Sequence, residues 1–195
     1  VHTVSDDLVA HEWAHGYTQS THSLVYKWQP GALNEAYSDI WGETIDLING
    51  AGNDTPDNLR TAGSCTSITH PDGADNSRRW LLFEDARGFG QALRDLWHPN
   101  CFGNPGKVSD ANYFCSSNDD GGVHTNSGVP NHAYALLVDG GAYNEQSVRG
   151  IGLTRAANIY WRAQKGYQKP ARALWDHPDA REHARFDLVR APPFS

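Results

Sequence analysis

A chain of 195 residues is long enough for one domain with a real core, or for two small lobes around a cleft. Its formal charge of -7 removes the electrostatic case for nucleic-acid binding, which needs a clustered basic surface. Seven tryptophans and eight tyrosines argue against disorder, and no apolar run approaches the ~20 residues needed to cross a bilayer, so no membrane partner is expected. The chain contains no methionine and begins at Val1 without a signal-type segment. It reads as a mature or trimmed soluble piece whose partners are peptides or small molecules.

In chain order, Ser5, Asp6 and Asp7 precede a periodic segment and predict a helix over 6–19, with Ser5 as its cap and the acids against its N-terminal dipole. HEWAHGYTQ, His11 to Gln19, falls inside it. After the breaker Pro30-Gly31 a second helix is expected over 32–48, with Leu33, Ala36, Tyr37, Ile40, Trp41, Ile45 and Ile48 as its apolar set. Residues 50–79 read as a long polar loop, and loops of that length are usually functional or flexible. Further helices are expected at about 88–97, 125–139 and 154–166. In CFGNPGKVSDANYFC the Asn-Pro-Gly turn favours a local disulfide between Cys101 and Cys115, which would imply an oxidising compartment. Cys65 is then a free thiol, or has its partner outside this sequence. Strand signals are sparse, and the fold class is mainly α: a single helical lobe over 1–195 with long irregular loops.

Residues i and i+4 share one helix face, so His11 and His15 can direct two imidazoles to one ion. Glu12, beside them, suits a base acting on metal-activated water. Read alone, H-E-x-x-H is equally a solvated helix with two surface histidines. GALNEAYSDIWG adds Glu35, which completes a His2Glu zinc set with one open position, and Asp39, which can accept the free ring N–H of a ligand histidine. NDDGGVHTNSGVPNHAYALL brings His124 on a Gly-Gly turn, where it can donate to a developing oxyanion while Asp119 or Asp120 holds its other nitrogen.

HEWAH, GALNEAYSD and GGVHTNSGVPNHAYALL, in that order and with a 24-residue step from His11 to Glu35, closely resemble the thermolysin-like neutral metalloproteases, secreted zinc endopeptidases. The likeness extends more loosely from Val1 to about Gln168. It implies that His11, His15 and Glu35 bind zinc, that Glu12 promotes the attacking water and that Asp39 orients His11. Tyr26 would join His124 on the tetrahedral intermediate, with Asp119 as the acid paired to that histidine. Arg94 would hold a substrate carbonyl, and Leu8, Leu82, Ala86 and Leu93 would line an apolar pocket for a large residue after the scissile bond.

The resemblance also maps one structural calcium onto Asp7, Asp46 and Glu84, while Arg79 and Leu81 stand where acids would be needed for a second. The family's N-terminal β-rich lobe is not in this chain. It is expected as a separate chain or cleaved fragment, or the chain is an isolated catalytic half. The competing expectation is a non-catalytic zinc-binding lobe or maturation fragment serving as an interaction module. The retention of Glu12, Tyr26, Arg94, Asp119 and His124 argues against it, since a purely structural zinc site needs none of them.

Overall fold

A computed structural model describes residues 5–49, 59–60, 78–86 and 88–166. Helix α1, Asp6–Thr21, lies against α2, Trp28–Asn49, and these two are the most extensively packed pair of elements. Ser5 occupies the N-cap of α1 without capping it. Its hydroxyl instead donates to the Asp7 carboxylate, which also accepts the Leu8 N–H at 2.6 Å and the Phe83 N–H. Asp7 thereby caps the helix and ties its first turn to a distant segment.

Helix α2 starts at Trp28, four residues before position 32, because Pro30 falls in the first turn. The amide groups there have no intrahelical acceptor, so proline's missing N–H costs nothing. Ala32, Ala36, Ile40 and Leu47 are buried along α2, and so are Glu35, Ser38, Asp39, Glu43 and Asp46. Polar groups buried on that scale require partners, and α2 is therefore the helix around which the polar network is organised.

The helix expected over 88–97 does not form. Gly88 and Gly90 interrupt the segment, Gly90 with φ +73°. The chain then returns as β2, Arg94–Asp95, antiparallel to β1, Leu81–Leu82, in the register Leu82↔Arg94 and Leu81↔Asp95. Backbone bonds from Leu93 to Leu82 at 3.0 Å and from Leu96 to Trp80 at 2.8 Å extend the pairing. A 3-10 turn over Pro99–Phe102 follows, then α3, Asp119–Asn126, and α4, Gly128–Asp139. A hairpin of β3, Gly141–Tyr143, and β4, Gln146–Val148, leads to α5, Leu153–Gly166.

The core gathers Ile40, Leu47, Trp80, Leu82, Tyr134 and Val138 where α2, α4 and the β1–β2 ribbon meet. Asp139 ends α4 inside a polar clasp, taking two bonds of 2.7 Å from Arg79 and one of 2.7 Å from the Trp80 indole. Among the described residues no helix is long and apolar enough to cross a membrane. Most of the expected 50–79 loop, Cys65 and the run after Pro170 lie outside the described residues. Cys115 is a free, exposed thiol, so the expected Cys101–Cys115 bridge does not form. Cys101 finds its partner outside the described residues.

His22 closes α1 at 4% exposure, with no hydrogen-bond partner on either ring nitrogen, and burial pushes its pKa down. The unfolded chain then takes up a proton near the ordinary value of about 6.5 while the folded chain does not. Stability is full above that pH and declines as pH falls below it. Denaturant midpoints at pH 7.5 and 5.5 should therefore differ less for His22→Leu than for the unaltered chain.

Candidate active site

The helical spacing sets His11 and His15 on one face of α1, and α2 crosses that face with Glu35. His11 Nε2 lies 3.0 Å from His15 Nε2 and 3.7 Å from Glu35 Oε2, and His15 Nε2 lies 3.3 Å from Glu35 Oε1. Among the described residues this is the one His/Cys/Asp/Glu group whose donor atoms converge, all within 4.8 Å. Three corners of a tetrahedron with bonds of about 2.0–2.1 Å are roughly 3.3 Å apart, so two imidazoles and one carboxylate so placed fit a zinc ion. Glu35 Oε2 is buried without a hydrogen-bond partner, as a ligand oxygen would be.

Each imidazole is held from behind. Asp39 Oδ1 lies 2.9 Å from His11 Nδ1, and Asn34 Oδ1 lies 2.7 Å from His15 Nδ1. With those N–H groups engaged, both Nε2 lone pairs face the common centre. Asp39 also accepts from Arg94 at 2.6 Å and, through its other oxygen, from Asn131 at 2.8 Å. Burial alone would raise its pKa, but the Arg94 guanidinium and the His11 hydrogen bond outweigh that and hold it well below the usual carboxylate range. Glu35 follows the same pattern, with burial opposed by its bonds to His15 and Tyr26, and its pKa is lowered. The Tyr26 hydroxyl donates to Glu35 and lies 3.1 Å from His124 Nε2. Burial and the neighbouring Glu35 charge push its pKa up, so it remains a donor.

His124 is aimed by a left-handed turn. Asp119, Asp120, Gly121 and Gly122 all have positive φ, from +49° to +94°. Such a run is tolerable because two of the four carry no Cβ. Side chains at the two glycines would collide with the Trp28 and Phe114 rings. The turn folds Asp119 back so that one oxygen accepts the His124 backbone N–H at 3.0 Å and the other meets Nδ1 at 2.5 Å. Asp120 makes no such contact.

These groups line an open cleft of ≈ 1160 Å³, with exposed Glu12 beside His11. Arg94 lines it from β2, reached by strand pairing rather than from a helix. Leu8 and Leu93 are on the cleft wall, whereas Leu82 and Ala86 belong to the core at 0% and 2% exposure. Phe83 and Phe89 complete the apolar wall instead. Asp7, Asp46 and Glu84 do not gather into a metal-binding group among the described residues. Both Asp7 oxygens already accept protein donors. Sequence reasoning missed Asn34, Asn131 and Phe83. Asn34 directly precedes Glu35, and Asn131 lies seven residues, two helical turns, beyond His124, which are spacings that a search for amides near the ligands would have raised.

Residues 22–181 match the family described as thermolysin metallopeptidase, alpha-helical domain. The chain is similar to a zinc metalloproteinase of Renibacterium salmoninarum, 37% identical over 167 residues that make up 83% of this chain and 26% of that protein. It is likewise similar to an extracellular elastase of Staphylococcus epidermidis, 35% identical over 187 residues, 94% of this chain and 29% of that protein. The fold resembles the solved precursor of protealysin, a metalloproteinase from Serratia proteamaculans. The TM-score is 0.53 at 24% identity, covering 87% of this chain and 47% of that one. The chain thus spans less than a third of the length of these two curated relatives.

Gly122→Ala forces a Cβ into the left-handed turn and against Phe114. It is expected to cost about 1–2 kcal/mol in denaturant unfolding and to move the His124 imidazole away from Tyr26, read from its ring nitrogen resonances.

Proposed function

The chain belongs to the thermolysin metallopeptidase family, carrying its α-helical domain, and on that premise we propose that it is the catalytic half of a secreted zinc endopeptidase. The observation that supports this reading is the convergence of His11, His15 and Glu35, each backed by a protein partner, beside the unencumbered carboxylate of Glu12. The proposed ligand set is His11, His15 and Glu35. Zinc bound there would supply a Lewis acid for a peptide carbonyl and would lower the pKa of water toward about 7.

The protein groups then divide the remaining work. Glu12 takes the proton of the attacking water and delivers it to the leaving nitrogen. Tyr26, kept protonated, donates to the developing oxyanion, and His124 offers Nε2 to it while Asp119 holds Nδ1. Arg94, fixed by Asp39, presents its guanidinium to a substrate carbonyl. Asp39 and Asn34 keep the ligand imidazoles in register. Leu8, Phe83, Phe89 and Leu93 provide an apolar wall for the side chain after the scissile bond.

The partner proposed for the open side of the cleft is a β-rich lobe on another chain or fragment, which would exclude water and pair with an extended peptide. The similarity to an enzyme named extracellular elastase supports an extracellular setting. Calcium is left out of this reading, because the expected ligands are apart and Asp7 is engaged elsewhere.

Freshly purified chain should hold one zinc, released by a chelator. Glu12→Gln should retain that zinc while chelator-sensitive peptide cleavage falls by about 10²–10⁴-fold. Zinc well below one per chain would remove the ligand assignment, and unchanged turnover would remove Glu12 as the base.

A further inference from the structure

Phe83 stands where the backbone least favours a bulky side chain. Its φ of +65° lies in the left-handed region, which phenylalanine seldom occupies. Its N–H donates to the buried Asp7 carboxylate, so the first turn of α1 locks that conformation. The ring is 4% exposed and held on three sides. It meets the His11 ring edge-to-face at 5.3 Å and the Phe89 ring at 6.2 Å, and the Arg94 guanidinium lies 5.4 Å over its face. A backbone strained in this way persists only where its surroundings over-determine it, typically at ligand clamps. Leu82, Phe83 and Ala86 all join the core cluster, and of the three Phe83 alone also lines the cleft.

Resting on the endopeptidase reading, we propose that Phe83 is a specificity-determining residue. It floors the apolar pocket and restricts the position after the scissile bond to a compact aliphatic side chain. The ring occupies the space between His11 and Arg94 that a substrate aromatic would need. It has no route of retreat, since its backbone is anchored and its faces are packed. A leucine, isoleucine or valine side chain can rest on Phe83, Phe89, Leu93 and Leu8. A substrate phenylalanine or tryptophan would have to displace a fixed ring, which close-packed protein resists.

Phe83→Gly tests this, because glycine adopts a positive φ freely and keeps the N–H that Asp7 accepts. Losing the buried ring costs stability, and if the variant does not fold, the preference of the unaltered chain between the two amides below decides the proposal. Cleavage sites in a mixed peptide library, read by mass spectrometry, give the ratio of leucine to phenylalanine after the scissile bond. That ratio is expected to drop at least ~10-fold in the variant, within the range that pocket shape commands. Binding of leucinamide and phenylalaninamide to the zinc-loaded chain, followed by NMR, should shift in the same direction. A wild-type chain that prefers neither amide, or ratios that the variant leaves unchanged, overturns the proposal. If neither protein cleaves any peptide, the endopeptidase reading fails, and the amide titration still decides whether Phe83 sets the size of the pocket.

Discussion

Asp39 is the constraint on which the rest of the site depends. It sits on α2 at 0% exposure and holds three other elements at once: α1 through His11, β2 through Arg94 and α4 through Asn131. An ionised carboxylate so deeply buried costs several kcal/mol unless it is paired and hydrogen-bonded, and removing one partner of such a group typically costs about 3–5 kcal/mol. The chain meets that demand with one cation, one imidazole N–H and one amide, each from a different element. Folding therefore assembles these elements around Asp39 together or leaves a charge stranded. The same bonds fix the tautomer of His11 and the reach of Arg94, so the ligand group and the arginine of the cleft are set by one carboxylate.

Two left-handed stretches do the aiming that helices alone do not. The run from Asp119 to Gly122 turns His124 toward Tyr26 and brings Asp119 behind it, at the expense of two acids in an unfavourable backbone region. Phe83 adopts the same region for a different end, placing its ring between His11 and Arg94. In both cases an aspartate accepts the backbone N–H that makes the conformation worthwhile: Asp119 for His124 and Asp7 for Phe83. The core residue Trp80 shares this backbone region, with φ +74°, so left-handed geometry also serves the packing behind the cleft.

The legible parts of this protein were those governed by short-range periodicity. The i, i+4 spacing that joins His11 to His15, and Glu35 to Asp39, needs only helix geometry, and α1, α2 and α5 follow from their apolar patterns. The helix expected at 88–97 failed because QALRDLW has helical composition, yet the glycines before it and the pairing with Leu81 and Leu82 decide its state. Tertiary context overrode propensity there. Asp7 was mapped as a cation ligand by the family resemblance. What it binds instead is a backbone N–H some 76 residues away, a contact that no local pattern announces. Asn34 and Asn131 escaped notice for a related reason, since an amide has no charge to mark it and its role exists only once its partner is folded beside it.

The donors at the centre and the groups that hold them come from the described elements α1, α2, β2 and α4. A preassembled donor set changes what metal binding does. On the proposed reading an ion would meet a site whose donors are already placed, so little ordering entropy would oppose it, and its binding energy would appear as stability of the folded half. Peptide recognition is different in kind. The cleft is open, Glu12 is exposed, and the strength of its charge on a reacting water depends on how well water is excluded around it. On that reading, metal capture belongs to the helical half itself, whereas the rate of peptide cleavage would depend on whatever closes over the open face.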